Sequence, residues 1–243
     1  MNSNPAGAPR LRAFVRVLLS GGVWSVIAVQ IAMLFLLRAH PEEAAPSSAQ
    51  LRVGALAALF FALLYVIAGA SHALARGRDT VSLPEVLIAG RAVYGRFLWL
   101  GFKAMLVFLV LFNLLLSVVL AASGVEMQTL VEASVGLYPW LGALIAFVFV
   151  YWMPVIFVHG NFALADTVRT ALLALWHDRR QAAYLAFLTL TPTVLAALLR
   201  DPPPLPAVVA LNVAGGVLGW TAYAFCVSRL QRAGATQPLA AVS

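Results

Sequence analysis

The sequence predicts an all-α polytopic membrane protein, a bundle of six transmembrane helices with two amphipathic helices on its cytoplasmic side. Of its 243 residues, 63% are apolar and only 10% are charged, whereas an ordinary soluble chain carries about 25% charged residues. The mean hydropathy is +0.93. The apolar residues fall into blocks of about 20, the length that crosses about 30 Å of hydrocarbon. This pattern excludes a soluble enzyme, a secreted disulfide domain, a disordered chain and a DNA-binding module.

The chain is predicted to form a single integral membrane domain, 1–243, because no polar stretch is long enough to bury a core of its own. Its one cysteine, Cys226, lies within an apolar run and excludes an intrachain disulfide. Fifteen of the 16 basic residues are arginine, a bias typical of GC-rich bacterial genomes. We therefore expect a bacterial membrane protein, and no cofactor is predicted for it.

Six apolar segments are predicted to span the membrane: 17–37, 53–73, 97–122, 138–158, 181–199 and 207–227. The first segment is longer than the apolar core of about 7–15 residues that a secretory signal peptide carries, which predicts a retained helix. Residues 201–204 read Asp-Pro-Pro-Pro. Because successive prolines cannot continue a helix, they predict a tight turn between the last two spans.

The distribution of basic residues predicts the orientation of the bundle. With the N-terminus inside the cell, thirteen arginine and lysine residues fall on the cytoplasmic side, and only Arg38, Arg52 and Arg200 fall outside. Cytoplasmic loops of membrane proteins carry an excess of these residues. We therefore expect a multi-pass protein of the inner membrane with both termini in the cytoplasm.

Two amphipathic helices are predicted on the cytoplasmic side. The first follows Ser82-Leu83-Pro84-Glu85, which fits a capping box, and its apolar residues recur at helical spacing up to Phe97. The second covers about residues 164–175. Each lies between two spans, so the order of span, amphipathic helix and span occurs twice, over 53–122 and 138–199. This repetition indicates an internal duplication.

Basic residues on and after these amphipathic helices are predicted to form a cytoplasmic rim. The rim residues are Arg91, Arg96, Arg169, Arg179 and Arg180. They are the interface expected either to contact anionic lipid head groups or to dock a cytoplasmic protein partner. The sequence leaves both alternatives open.

Uncharged polar and aromatic residues in the spans are candidates for a cavity that binds a ligand head group. The candidate cavity residues are Asn113, Tyr151, Trp152 and Asn212. The alternative is that such polar groups form hydrogen bonds between helices. None of the nine acidic residues falls within a span core, which argues against proton or sodium coupling through buried carboxylates.

Three further features of the spans carry predictions of their own. Gly215 and Gly219 form a GxxxG pattern that lets another helix approach closely, inside the bundle or in an oligomer. Pro154 is expected to kink the fourth span and Pro192 the fifth. His72 and His159, at cytoplasmic span ends, have the residue type that ligates a b-type haem. Histidine at a helix end more commonly caps it. No nucleophile, zinc or phosphate-loop motif is present.

A resemblance to a known family rests on the residues around the fourth span. The run Tyr151-Trp152-Met153-Pro154-Val155 leads into His159-Gly160, then an Ala/Leu-rich helix and Asp178-Arg179-Arg180-Gln181-Ala182. In this arrangement the chain resembles uncharacterised six-helix inner-membrane proteins of proteobacteria, which usually have Asn where this chain has Arg180. It is more loosely similar to the helical membrane domain of bacterial glycerophosphodiesterases. The resemblance implies a six-helix membrane fold and carries no activity with it, since the phosphodiesterase barrel is absent.

Together these observations favour a non-enzymatic role as a membrane scaffold or an accessory subunit. Its expected partners are membrane lipids and a membrane or cytoplasmic protein, with no nucleic acid. The alternative is a carrier for a lipid or another hydrophobic molecule. A haem protein or an intramembrane enzyme is the third and least favoured function.

Overall fold

In a computed structural model of the chain, the described residues are 8–38, 46–77, 80–123, 147, 150–198 and 204–236. They form eight helices and no strand. In chain order the helices are α1 (Ala8–Leu18), α2 (Gly21–Arg38), α3 (Pro46–Ala75), α4 (Leu83–Ser123), α5 (Trp152–His159), α6 (Leu164–His177), α7 (Arg179–Leu198) and α8 (Leu205–Thr236). The predicted all-α class is confirmed for this part of the chain.

Within the described ranges, four helical segments are long and apolar enough to cross a membrane: Gly21–Arg38, Gln50–Ala75, Leu83–Leu115 and Leu205–Ala233. They fall on the first, second, third and sixth predicted spans. The fifth predicted span coincides with α7, which is not one of these four. The fourth, 138–158, lies largely outside the described residues. The protein is therefore a multi-pass helical protein, and the count of six spans stays a prediction.

The first predicted span is interrupted near its start. A continuous helix from residue 17 was expected, but α1 ends at Leu18 and α2 begins at Gly21. At this break the Gly22 amide donates to the Val81 carbonyl at 2.8 Å, and the Val81 amide donates to the Ser20 hydroxyl at 3.2 Å. The segment that precedes α4 thus satisfies polar groups that a continuous helix would satisfy internally.

The first predicted amphipathic helix is continuous with the third span. Both belong to α4, whose 41 residues correspond to a length of about 60 Å. One half of the predicted capping box is confirmed, because Glu85 accepts a hydrogen bond from the Ser82 amide at 2.8 Å, while the Ser82 hydroxyl donates to the same carboxylate at 3.0 Å. Beyond Pro84 the helix contains no further proline, so nothing in the sequence forces an end at Phe97.

The second amphipathic helix is a separate element, as predicted. Helix α5 ends at Gly160, whose φ of 63° is left-handed and suits glycine. The Asn161 side chain then accepts a hydrogen bond from the Ala163 amide at 2.8 Å, which turns the chain into α6. Helix α6 buries Thr167, Ala171 and Leu175 and contacts α4, α5 and α7.

Most of the buried core lies at one end of the bundle, where the helix ends are cross-linked by hydrogen bonds. Tyr223 of α8 donates to the Ser71 carbonyl at 2.8 Å, and Gln231 donates to the Ala75 carbonyl. Arg16 of α1 donates to the Leu74 carbonyl at 2.9 Å. Helix α8 is central at this end, because it contacts α1, α2, α3, α5 and α7.

Two glycines allow α2 and α3 to approach the start of α4. A Cβ atom on Gly69 would overlap the backbone carbonyl of Val86, and one on Gly22 would overlap the Val86 side chain. Val86 itself is fully buried. The absence of a side chain at these two positions therefore sets the spacing of three helices at the cross-linked end.

Candidate functional site

The candidate site is an open cavity of about 520 Å³ bordered by five helices. Helices α2, α3, α5, α7 and α8 all contribute to its wall. Its volume falls within the range of about 300–1,000 Å³ that is typical of small-molecule sites. Its polar lining residues are Gln30, Ser71, Thr189, Asn212, Trp220 and Tyr223.

Glycines of α8 leave room for this cavity. Gly219 lines it, and a Cβ atom at Gly219 would meet nothing within 4 Å. One turn earlier, a Cβ on Gly215 would contact Pro192 of α7 at 3.5 Å, an ordinary van der Waals distance. Gly216 faces α2 more tightly, since its Cβ would lie 2.8 Å from the Ile27 side chain. The space exists because α8 carries no side chains where it passes α7 and α2.

The two glycines of the GxxxG pattern, Gly215 and Gly219, therefore have different surroundings. Gly215 contacts a neighbouring helix loosely, Gly219 borders open space, and the closest approach is made by Gly216, which the sequence pattern did not single out. The pattern identified the correct stretch of α8. It did not distinguish a packing glycine from one that lines a cavity, because that depends on where α2 and α7 cross α8.

Ser71 is a buried polar residue next to the cavity. Its side chain has no solvent exposure, and among the described residues its hydroxyl has no hydrogen-bond partner. A buried polar group without a partner costs about 1–3 kcal/mol. The Tyr223 hydroxyl beside it is committed to the Ser71 carbonyl. Because no part of Ser71 is accessible to a water-sized molecule, a ligand in the cavity does not reach this hydroxyl, and the hydrogen-bonding groups that the cavity offers are its other polar residues.

The other polar groups of the wall are neutral. The Asn212 amide nitrogen donates to the Val208 carbonyl at 2.9 Å, a bond that leaves its side-chain oxygen unused. The Thr189 hydroxyl donates to the Ala186 carbonyl at 2.9 Å. The Trp220 ring packs edge-on against Tyr223 with centroids 5.4 Å apart. Among the described residues of the wall there is no charged side chain. Such a wall suits a molecule that offers hydrogen bonds on an otherwise apolar body.

The four predicted cavity residues do not all lie in this wall. Asn212 lines it, as the sequence analysis expected. Asn113 lies on an exposed part of α4 and donates to the Leu109 carbonyl of its own helix at 2.7 Å. Tyr151 is buried next to α5 and donates to Asp178 at 3.2 Å. The Trp152 indole donates to the Thr167 hydroxyl at 3.3 Å. Tyr151 and Trp152 thus connect α5 to the segment around α6.

The Tyr151 contact belongs to a polar cluster that the sequence analysis did not identify. Asp178, between α6 and α7, accepts from Tyr151 and forms an ion pair with Arg229 of α8 at 2.9 Å. The Asp178 side chain is 20% exposed and that of Arg229 is 37% exposed. The pair joins residues 51 positions apart, a separation at which no local pattern signals a contact. It ties the α6–α7 junction to the central helix.

All five predicted rim arginines are exposed: Arg91, Arg96, Arg169, Arg179 and Arg180. Arg179 also lies over the exposed Trp176 ring, with its guanidinium carbon 5.8 Å from the ring centroid. Because α6 contacts α4, the elements that carry the rim are neighbours in the fold. The structure is compatible with either predicted use of the rim.

The two histidines considered as haem ligands differ in environment. His72 is half-buried, and its ring centroid lies 6.2 Å from that of Phe157. His159 is exposed at the end of α5. Within the ranges that the structure describes, no group of three or more His, Cys, Asp or Glu residues is arranged to hold a metal ion.

No family model, curated protein or solved structure matches the chain.

Proposed function

We propose that the protein binds a small amphipathic molecule within the membrane and serves as a non-enzymatic carrier of it. The cavity bounded by α2, α3, α5, α7 and α8 is the binding site. The observation that carries this proposal is the cavity of about 520 Å³ between apolar helices, whose described lining residues offer neutral hydrogen-bonding side chains.

The chemistry of the wall favours binding. Its polar groups are hydroxyl, amide and indole groups, which donate and accept hydrogen bonds without changing charge near neutral pH. The surrounding helices α2, α3 and α8 are long and apolar enough to cross the membrane. A lipid-like or other hydrophobic molecule with one polar end is therefore the ligand class that fits.

The proposed setting is the bacterial inner membrane, with both termini in the cytoplasm. The bias of basic residues in the sequence supports this orientation. The cross-linked end of the bundle supports it further, because Arg16, Arg229 and the α3–α4 connection lie together there. All of them belong to the predicted cytoplasmic side.

The carrier proposal is tested by filling the cavity. Gly219→Leu places a side chain into the open space at Gly219, and Gly54→Leu is the matched control, since Gly54 is exposed on α3 and also has nothing within 4 Å of its Cβ position. Each protein is extracted in a gentle detergent and analysed by native mass spectrometry. We expect a stoichiometric small molecule on the native protein and on the control, and its loss in Gly219→Leu.

Asn212→Leu tests the polar wall separately from the volume, because it removes an exposed amide of the wall and keeps a side chain of similar size. The loss of one hydrogen bond should weaken retention of the molecule by about tenfold, the effect of about 1.4 kcal/mol. Retention by Gly219→Leu equal to that of the native protein would refute this cavity as the site. A native protein that carries no small molecule at any detergent concentration would refute the carrier function.

The exposed rim supports a second candidate function, that of a scaffold or accessory subunit. Five exposed arginines on neighbouring elements form a surface complementary to an acidic partner. Reversing the charge of Arg179 and Arg180 to Glu should then remove a protein that co-purifies with the native chain, while the melting temperature is kept. A co-purifying protein that stays bound to this variant would refute the rim as its docking surface.

A further inference from the structure

A second cavity lies between the first helix and the last, at the cross-linked end of the bundle. Its volume is about 480 Å³, and helices α1 and α8 form most of its wall. Its lining residues are Leu11, Arg12, Ala13, Val15, Arg16, Leu19, Thr80, Ala224, Ser228 and Arg232. Three of these residues are arginines and none is acidic. The described wall therefore combines concentrated positive charge with apolar side chains.

The sequence of α1 separates these two properties onto adjacent faces. Residues four apart lie on one face of a helix, so Ala13 and Val17 form a buried face, and Arg12 and Arg16 form a stripe beside it. The apolar residues on the next face are exposed, and Leu11 retains 64% of its surface. The arginine stripe thus lies between the part of α1 that packs on the protein and the part that faces outward.

The exposed apolar face indicates what surrounds this cavity. Leu11, Val15, Leu18 and Leu19 are all exposed large hydrophobic residues of α1 and the turn after it. In water such a row is unfavourable, whereas a helix with one apolar face and adjacent basic residues is stable in the interface of a membrane. The apolar row then contacts acyl chains at the depth where arginine side chains reach the head groups.

The cavity arginines belong to two helices, α1 and α8. Arg16 donates to the Leu74 carbonyl at 2.9 Å, near the C-terminal end of α3, where a positive charge is favourable. Arg12 is exposed one turn earlier on α1, and Arg232 is exposed near the end of α8. The Ser228 and Thr80 hydroxyls border the same space. Guanidinium groups and hydroxyls together are the donors that bind phosphate oxygens.

We propose that this cavity is a specific site for the phosphate head group of one anionic phospholipid, whose acyl chains lie along Leu11, Val15 and Leu19. The arginines alone would be sufficient to bind a free phosphate ion. The apolar part of the wall is what assigns the site to a lipid. The site is separate from the cavity at Ser71, so this assignment does not depend on the carrier function.

The test uses the full-length purified protein and native mass spectrometry. Dioleoyl phosphatidylglycerol is titrated as the anionic lipid and dioleoyl phosphatidylcholine as the neutral one, with inorganic phosphate as a competitor. Arg12→Gln/Arg232→Gln removes two cavity arginines. Arg76→Gln/Lys103→Gln is the matched control, because it removes two charges from exposed positions outside both the cavity wall and the rim.

The native protein should bind one phosphatidylglycerol in preference to phosphatidylcholine. Each arginine near an anionic head group raises the binding constant of the lipid by a factor of about five. The cavity variant should therefore bind phosphatidylglycerol about 30-fold more weakly, and the binding constant of the control should change by less than about threefold. Arg12→Gln alone, at an exposed position, should weaken binding about fivefold.

Three outcomes would overturn the assignment. Equal losses in the two double variants would show general attraction of lipid to a basic surface. Equal binding of the two lipids would show that the head-group charge is not recognised. Displacement of the lipid by millimolar inorganic phosphate would identify a free-anion site. The variant Gly219→Leu should leave this lipid in place, which separates failure here from failure at the Ser71 cavity.

Discussion

Gly69 is the residue whose substitution should disturb the helix packing most. A Cβ atom at this position would overlap the backbone carbonyl of Val86, and a backbone atom cannot rotate away as a flexible side chain can. Overpacking of this kind costs about 1–3 kcal/mol. We therefore expect Gly69→Ala to lower the melting temperature of the detergent-purified protein clearly, as measured by the loss of helical circular dichroism.

Gly54→Ala is the matched control for this prediction. It is a second glycine of the same helix α3, but a Cβ atom there meets nothing within 4 Å. Alanine is favoured over glycine in a helix by up to about 1 kcal/mol, so this variant should be neutral or slightly more stable. Equal melting temperatures of the two variants would contradict the close approach of α3 to α4 at Gly69.

The Asp178 carboxylate is expected to stabilise the fold through its ion pair with Arg229. Asp178→Ala removes the acceptor of Arg229 and of the buried Tyr151 hydroxyl. A hydrogen bond to a charged group contributes about 1.5–3 kcal/mol, and the exposure of Arg229 reduces this to about 1–2 kcal/mol here. Thermal unfolding of Asp178→Ala should show this loss, and that of the exposed neighbour His177→Ala should not.

A double substitution tests whether that loss comes from the pair. Asp178→Ala should lower the free energy of unfolding less in an Arg229→Ala background than in the native protein, because the partner is already absent. The difference should be at least about 0.5 kcal/mol. Full additivity of the two substitutions would contradict the ion pair. The sequence marked Tyr151 as a cavity residue from its type and position. It could not reveal the contact with Asp178, since that contact depends on how α5 meets the α6–α7 junction.

At the scale of single elements, local signals were predictable and the continuity of helices was not. The capping box at Ser82 and Glu85 and the separate helix α6 both follow from residues within a few positions of one another. The break before α2 depends instead on Val81, about 60 residues away along the chain. Helix α4 was divided at Phe97 because its character changes there from amphipathic to apolar, and a change of surroundings does not end a helix.

The continuity of α4 can be measured with spin labels. In a Cys226→Ala background, nitroxides at Leu87→Cys and Leu115→Cys occupy exposed positions 28 residues apart. A straight helix places the labelled backbone positions about 42 Å apart. If residues 83–97 lay flat in the interface at a right angle to the span, the separation would be about 31 Å. Double electron–electron resonance distinguishes the two values.

A second label pair controls for the behaviour of the probes. Trp99→Cys and Leu115→Cys lie within the apolar part of α4, 16 residues apart. Both geometries place these positions about 24 Å apart. A distance near 31 Å for the long pair, with the short pair unchanged, would show that α4 bends and would restore the separate interfacial helix that the sequence predicted.

At the scale of the whole molecule, the charge distribution anticipated which segments come together. Arg16, the end of α3, the start of α4, Asp178 and the end of α8 were all assigned to the cytoplasmic side, and the structure gathers them at one end. At the opposite end Arg52 donates to the Leu36 and Leu37 carbonyls. The bias of basic residues applies to whole loops, so it predicts which helix ends lie on the same side of the membrane. It does not predict where cavities form, because these depend on residues such as Gly219 at particular crossings.

The orientation of the molecule is the prediction that bears on both proposed sites. If the cross-linked end is cytoplasmic, the basic cavity between α1 and α8 faces the leaflet that attracts basic residues most strongly. Fusions of green fluorescent protein and of alkaline phosphatase after Ser243 should then be fluorescent and inactive, respectively. The same reporters inserted at Glu42, in the predicted external loop 38–52, should give the reverse. Equal signals at the two positions would contradict an odd number of spans between them, and a reversed pair would place the arginine-lined cavity at the outer leaflet.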